Sequence, residues 1–407
     1  MYGKTLCTDL RGRQCRGNSR VIACLYLNRK YVIQGGMGLI LVKGGNVHFP
    51  KGETKKADIL IDGDKILKTA SDIQAEAEVI DASGCEVFPG FILPATSVGL
   101  YNYADLRYTD SDEKSSPVNA DLHVRYALDP VEVRMQGYEK HGITAFGAVP
   151  NESALVAGQT GVYHTAGRSA ADMAISETVA LKVNFLPGVK RTFAARHMRP
   201  MTRMGMTALL REEFQKAARL GSGDQEYNPS GEVFRKVLNR ELPLLCSVRE
   251  HFDIEILLDL QKEFGFRMIL LGAYQADRCA GRIREAGASV LLGDLLDCSF
   301  VTYYDSDIPA LLAMSEDIPM AFSNNSSGYE GLLWSAEKAV RNGLDAEKAI
   351  DMLTIKTAEI LGVADKTGSV EAGKYADISI WSGHPLKSYA AQIQVCITAG
   401  KVWRAQS

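Results

Sequence analysis

Across the middle of this chain, roughly 270 residues long, short apolar runs alternate with segments whose apolar residues recur at helical spacing. The runs Ile143 to Val149, Ala180 to Asn184, Leu242 to Val248, Arg267 to Leu271, Ser289 to Leu292 and Pro319 to Ser323 read as strands. The segments Thr207 to Leu220, Ile254 to Phe264, Ala276 to Ala286, Pro309 to Ser315 and Gly331 to Asn342 read as helices. Such alternation demands parallel strands joined by crossover helices. The expected fold is therefore α/β, a (β/α)₈ TIM barrel. A doubly wound open sheet is the competitor, and no Gly-x-Gly-x-x-Gly turn supports it.

Both ends of this stretch are strand-rich. Leu39 to Lys43, Ala57 to Ile61 and Glu78 to Ile80 are β-like, with a hairpin signal in Ile61-Asp-Gly-Asp-Lys65. Ala376 to Trp381, Gln394 to Ile397 and Val402-Trp403 mirror them, the last two separated by the turn Ala399-Gly400-Lys401. Two ends that each supply part of a sheet fit one small composite β-sandwich. The expected division is 1–36 as an N-terminal extension, 37–88 plus 365–407 as the sandwich, and 89–364 as the barrel.

Composition narrows the class. Of 407 residues, 46% are hydrophobic and 23% charged, which is ordinary for a globular protein. A net charge of −3 argues against nucleic acid as the main partner, and no apolar run approaches a membrane span. The eight cysteines form no Cys-x-x-Cys pair, so a reduced, cytoplasmic setting is expected. Residues 1–36 carry seven Lys or Arg against the single acid Asp9. They read as a disordered tail or as sequence upstream of a start at Met37, with a transit peptide as the alternative.

The segment Phe88-Pro-Gly-Phe-Ile-Leu-Pro-Ala-Thr-Ser97 resembles the first barrel strand of the amidohydrolase superfamily, where the family carries His-x-His. The C-terminal third carries the resemblance further. Ala336 to Leu344 leads to Thr357-Ala-Glu-Ile-Leu-Gly-Val363 and then to Gly368-Ser-Val-Glu-Ala-Gly-Lys-Tyr-Ala-Asp377. This is similar to the family's closing helix and its Gly-Ser-(Ile/Val)-x-x-Gly-x-x-Ala-Asp return. Met198 to Phe214, with Thr-Arg-Met-Gly and Leu-Leu-Arg-Glu, resembles an imidazolonepropionase-like subgroup of cyclic-amide hydrolases.

The resemblance implies a metal-dependent hydrolase of C–N bonds, with zinc or another divalent ion held at the barrel mouth. Alternate residues on a strand face one side, so two imidazoles at i and i+2 both reach the metal. The metal then acidifies a bound water. Matched to this sequence, the ligand positions carry Ala95, Ser97, Ser247, Gly272 and Asn324, with Lys182 at the strand-four lysine position. None of the first five is a good ligand for a catalytic divalent ion, and Asn324 cannot serve as a carboxylate base. The expectation is no metal cofactor.

Other residues offer chemistry. Ser247, His251 and Asp253 read either as a serine-base-acid set or, more plainly, as loop and helix-cap residues. Cys246 neighbours Ser247 and is expected to point into the strand–helix core. The glycine-rich stretch Val156 to His164 reads as a loop, an ordinary turn or one that lines a pocket with Gln159 and His164. Arg249 is placed to hold a carboxylate or to face solvent. Asn324 and Asn325 suit a small polar ligand. The preferred reading is a divergent family member without metal-dependent hydrolysis that binds a small polar molecule or serves as a non-catalytic subunit, as a homo-oligomer or beside an active paralogue. The alternative is an active C–N hydrolase with a relocated or metal-free site.

Overall fold

A computed structural model describes residues 38–101, 109–219, 228–296, 303–324 and 330–405. The basic extension and Asn325 lie outside the described residues. Among the described residues, sixteen strands form two sheets. The first sheet takes β1 (Leu39–Phe49), β2 (Glu53–Asp62), β3 (Lys65–Ala70), β4 (Glu78–Asp81) and β5 (Glu86–Pro89) from the N-terminal side. The second contains β6 (Phe91–Thr96), β7 (Ile143–Ala148), β8 (Val156–His164), β9 (Ala174–Asn184), β10 (Leu244–Val248), β11 (Met268–Gly272), β12 (Ser289–Leu292) and β13 (Met320–Phe322). The chain then returns to the first sheet through β14 (Ile378–Trp381), β15 (Ile393–Thr398) and β16 (Lys401–Arg404).

The small sheet runs β16-β15-β14-β5-β1-β2-β3, with β4 also pairing β1. The contact between β14 and β5 joins the two ends of the chain. The Asp-Gly hairpin closes β2 on β3 as expected, with Gly63 at a positive φ. The turn after β15 comes back over it, so close that a Cβ on Gly400 would sit 1.8 Å from the Gly63 carbonyl oxygen. The two edges thus face each other like the halves of a sandwich, around Val42, Ile59, Ile61, Val87, Ile378 and Ile397.

The second sheet, ordered β13-β12-β11-β10-β9-β8-β7-β6, curls into a nearly closed TIM-type barrel. The helix Ile355–Leu361 packs against both end strands, β13 and β6. Alternation along each strand sorts the side chains. Leu244, Cys246 and Val248 join the core between strands and helices, while Ala95, Ala180, Leu245, Ile269, Leu271, Leu291 and Ala321 meet inside the barrel. Cys246 is therefore buried outside the barrel interior, and burial pushes its thiol up to about 12.

One strand departs from the all-parallel pattern. Val156–His164, read from sequence as a loop, is the barrel strand β8, and it runs antiparallel to both β7 and β9. Residues 149–155 connect β7 to β8, and a parallel crossover needs a dozen residues or more. Its glycines mark close backbone approach. A Cβ on Gly161 would lie 2.3 Å from the Glu177 carbonyl oxygen.

Candidate functional site

Barrel active sites lie at the carboxyl ends of the parallel strands. At that end β9 carries Lys182 and Asn184, two residues apart and so on one side of the pleat. In register beside them, Leu245 pairs Lys182 and Ser247 pairs Asn184. The Lys182 Nζ donates to the Asn184 Oδ1 and, at 2.6 Å, to the Ser247 Oγ. The Asn184 amide nitrogen in turn donates to the carbonyls of Asn151 (3.1 Å) and Ala154 (2.8 Å). Those bonds hold the Asn184 oxygen towards the lysine.

All three side chains are buried, Lys182 to 1% exposure. Burial pulls its ammonium down to about 8, against a smaller opposing pull from Glu152. This ammonium donates to two neutral oxygens, those of Asn184 and Ser247. Proton loss is therefore accessible near neutral pH.

The polar surface extends outward. Asn151 Nδ2 donates to the Ser111 hydroxyl (2.8 Å) and reaches the Tyr101 hydroxyl at 3.4 Å. That bond from Asn151, with Ser97, Arg134 and Ser111 adding to it, holds the Tyr101 phenol below its ordinary value despite partial burial. Arg134 lies over the ring at 4.0 Å. Arg249, just past β10, sits 3.8 Å from Glu152 and faces the Tyr274 ring at 5.9 Å. Its side chain keeps 36% of its surface in solvent.

The sequence-derived positions separate into two groups. Ala95 and Ser247 belong to the barrel interior with Lys182, and half-buried Ser97 follows β6 and bonds Tyr101. Asn324 is buried two residues beyond β13. Gly272 differs from its expected place. It is in register with Val248 and Leu292, which pack in the outer core, and Leu271 is the β11 residue inside.

The ligand candidates on β8 also move. Because β8 is reversed, His164 lies at the opposite end of the barrel from the mouth, against Asp377 at 3.3 Å and edge-on to Tyr375. Gln159 is in register with Leu181 of the outer core and donates to the Ala120 carbonyl at 3.3 Å. The serine-base-acid set does not assemble. His251 Nδ1 meets the Gln275 Oε1 at 2.9 Å, and Asp253 pairs with Arg203 in the helix Arg203–Arg219. Sequence reasoning missed Asn184, Asn151 and Tyr101. Of these, Asn184 was signalled by its spacing of two from Lys182.

Among the described residues, no group of three or more His, Cys, Asp or Glu side chains is arranged to hold a metal ion. The oxygens that accept from Lys182 are a hydroxyl and a carboxamide oxygen. An ammonium at their centre is the wrong sign for a divalent cation, so these residues do not fit the metal the fold implies.

A family model for the amidohydrolase family matches residues 298–402, which span β13 and the return into the small sheet. The structure of an amidohydrolase from Thermotoga maritima superimposes with a TM-score of 0.82 at 25% identity, covering 90% of this chain and all of that one. Amidohydrolase tasK of Hapsidospora irregularis is 23% identical over 383 residues, 84% of this chain. A dihydroorotase of Streptococcus pyogenes is 52% identical over 56 residues, 13% of this chain. These matches span only 39% and 13% of the two relatives' own lengths. Barrel, small sheet and matches all support a place for this chain among the amidohydrolases.

Proposed function

We propose that this barrel has replaced metal-dependent hydrolysis with a metal-independent site that binds a small, polar, carboxylate-bearing molecule at its mouth. The observation that carries this reading is the Lys182–Asn184–Ser247 cluster. It fills with an ammonium and neutral oxygens the region that the family chemistry needs for a cation. Arg249 offers a carboxylate two parallel N–H donors at the rim, and Tyr101, Asn151 and Ser97 supply neutral hydrogen-bonding groups.

Titration calorimetry with glutarate and with its uncharged analogue glutaramide tests this. Glutarate is expected to bind in the presence of a chelator, and Arg249→Met to weaken it about tenfold or more, the scale of a charge-assisted hydrogen bond. No binding of glutarate, or equal binding of both compounds, would contradict it. A second reading, C–N bond hydrolysis without a metal, is favoured by the 2.6 Å contact of Lys182 with Ser247.

A further inference from the structure

We infer that Ser247 and Lys182 form a nucleophile–base pair that cleaves small amides bearing a carboxylate, at the site proposed above and resting on that reading. A serine hydroxyl is a weak nucleophile until a neighbouring base takes its proton. Here a lysine nitrogen lies within 2.6 Å of it, inside the general-base range. The pair is not a chance surface contact. Both side chains project from adjacent, registered strands, and the second acceptor of the lysine, Asn184, is itself fixed by two backbone carbonyls. Burial favours the neutral amine that a base must be. Ser247 stands one residue before the mouth end of β10, and Arg249 follows two residues on.

In the acylation step the neutral Lys182 amine takes the Ser247 proton as Oγ bonds to the amide carbonyl carbon. Collapse of that adduct breaks the C–N bond, and the Lys182 ammonium returns the proton to the departing nitrogen. Water, deprotonated by the same amine, then attacks the Ser247 ester; the C–Oγ bond breaks, and the Lys182 ammonium returns its proton to Oγ as the acid leaves. Bonds and protons balance with water as the only co-reactant. Arg249 holds the substrate's carboxylate and Asn184 is a positioning residue for the lysine.

The full chain, kept in chelator, would be treated with phenylmethylsulfonyl fluoride and assayed on glutaryl p-nitroanilide and butyryl p-nitroanilide. The expected results are a sulfonyl adduct mapped to Ser247 and chelator-resistant release of p-nitroaniline, faster for the glutaryl compound. The rate should rise with pH through an apparent pKa near 8. Ser247→Ala and Lys182→Met should each lower kcat by about a hundredfold or more, and Arg249→Met should raise KM for the glutaryl compound alone. Circular dichroism confirms that each variant is folded. Absence of a Ser247 adduct together with no turnover of either anilide overturns the inference. Glutarate binding that persists in that case leaves the binding reading standing, whereas activity that needs added metal overturns both.

Discussion

Lys182 sits at the centre of the proposed site, and its burial has a signature in stability. Below about pH 8 the ammonium is charged in both folded and unfolded chains, and the cost of burying it is fully present. Between about 8 and the ordinary lysine value of 10.5, the folded chain has lost the proton while the unfolded chain retains it. Stability therefore rises with pH across that window, by about 3 kcal/mol for this group alone. Lys182→Met removes the effect. Denaturant unfolding of the two proteins at pH 7 and pH 10 should show the wild type gaining on the variant as pH rises. Parallel curves would mean that the ammonium is not desolvated. Lys182 and Ser247 were both singled out in the sequence by the family resemblance, as positions of strands four and five. Their contact was not legible, since it depends on the register between β9 and β10.

At the scale of elements, the reversed strand β8 is the feature that sequence reading missed. Two glycines within four residues, Gly158 and Gly161, carry the same local signal as a loop. Only the pairing partners show that glycine here admits a neighbouring backbone. Reversal also explains why His164 is not at the mouth, whereas Gln159 is turned to the outer core beside Leu181; the other strands lie close to their expected places. Gly161→Val should lower stability by about 2 kcal/mol or more, because its Cβ would overlap the Glu177 carbonyl and the Tyr163 ring. The control is Gly281→Ala, in the helix Ala280–Glu285 with nothing within 4 Å of the added carbon. It should stabilise by about 0.5–1 kcal/mol. Thermal unfolding of both variants checks the pair, and similar melting shifts would contradict the close approach at Gly161. The error at Gly272 has a related origin. A motif match fixed its position to within one residue, and one residue on a strand changes the face.

For the whole molecule, Asp377 links the small sheet to the far end of the barrel. Its carboxylate accepts from the Thr367 hydroxyl at 2.7 Å and from the Ala399 N–H at 3.0 Å, and it pairs with buried His164. Burial would raise this carboxyl, but the His164 charge and these hydrogen bonds hold it below its ordinary value of 3.8. Its stabilisation is fully present above that value and is lost as pH falls through the lowered one. Asp377→Ala should cost about 2 kcal/mol or more near neutral pH, because the buried Thr367 hydroxyl and the Ala399 N–H lose their acceptor, and the difference should shrink on acidification. Chemical denaturation at pH 7 and below pH 4 would measure it, and a pH-independent difference would contradict the ionic role. The two-part architecture was legible from strand-rich ends and the turn-rich return near Gly368 and Gly373. The Asp377–His164 link was not, because it joins residues more than two hundred positions apart.

Among the described residues, no helix is long and apolar enough to cross a membrane. We propose a barrel that works without a metal ion. Elemental analysis of protein purified without chelator, from cells supplied with zinc and manganese, tests it most directly. Less than about a tenth of an equivalent of any divalent transition metal is expected. Near-stoichiometric zinc or manganese, removable by chelator with loss of ligand binding, would contradict it.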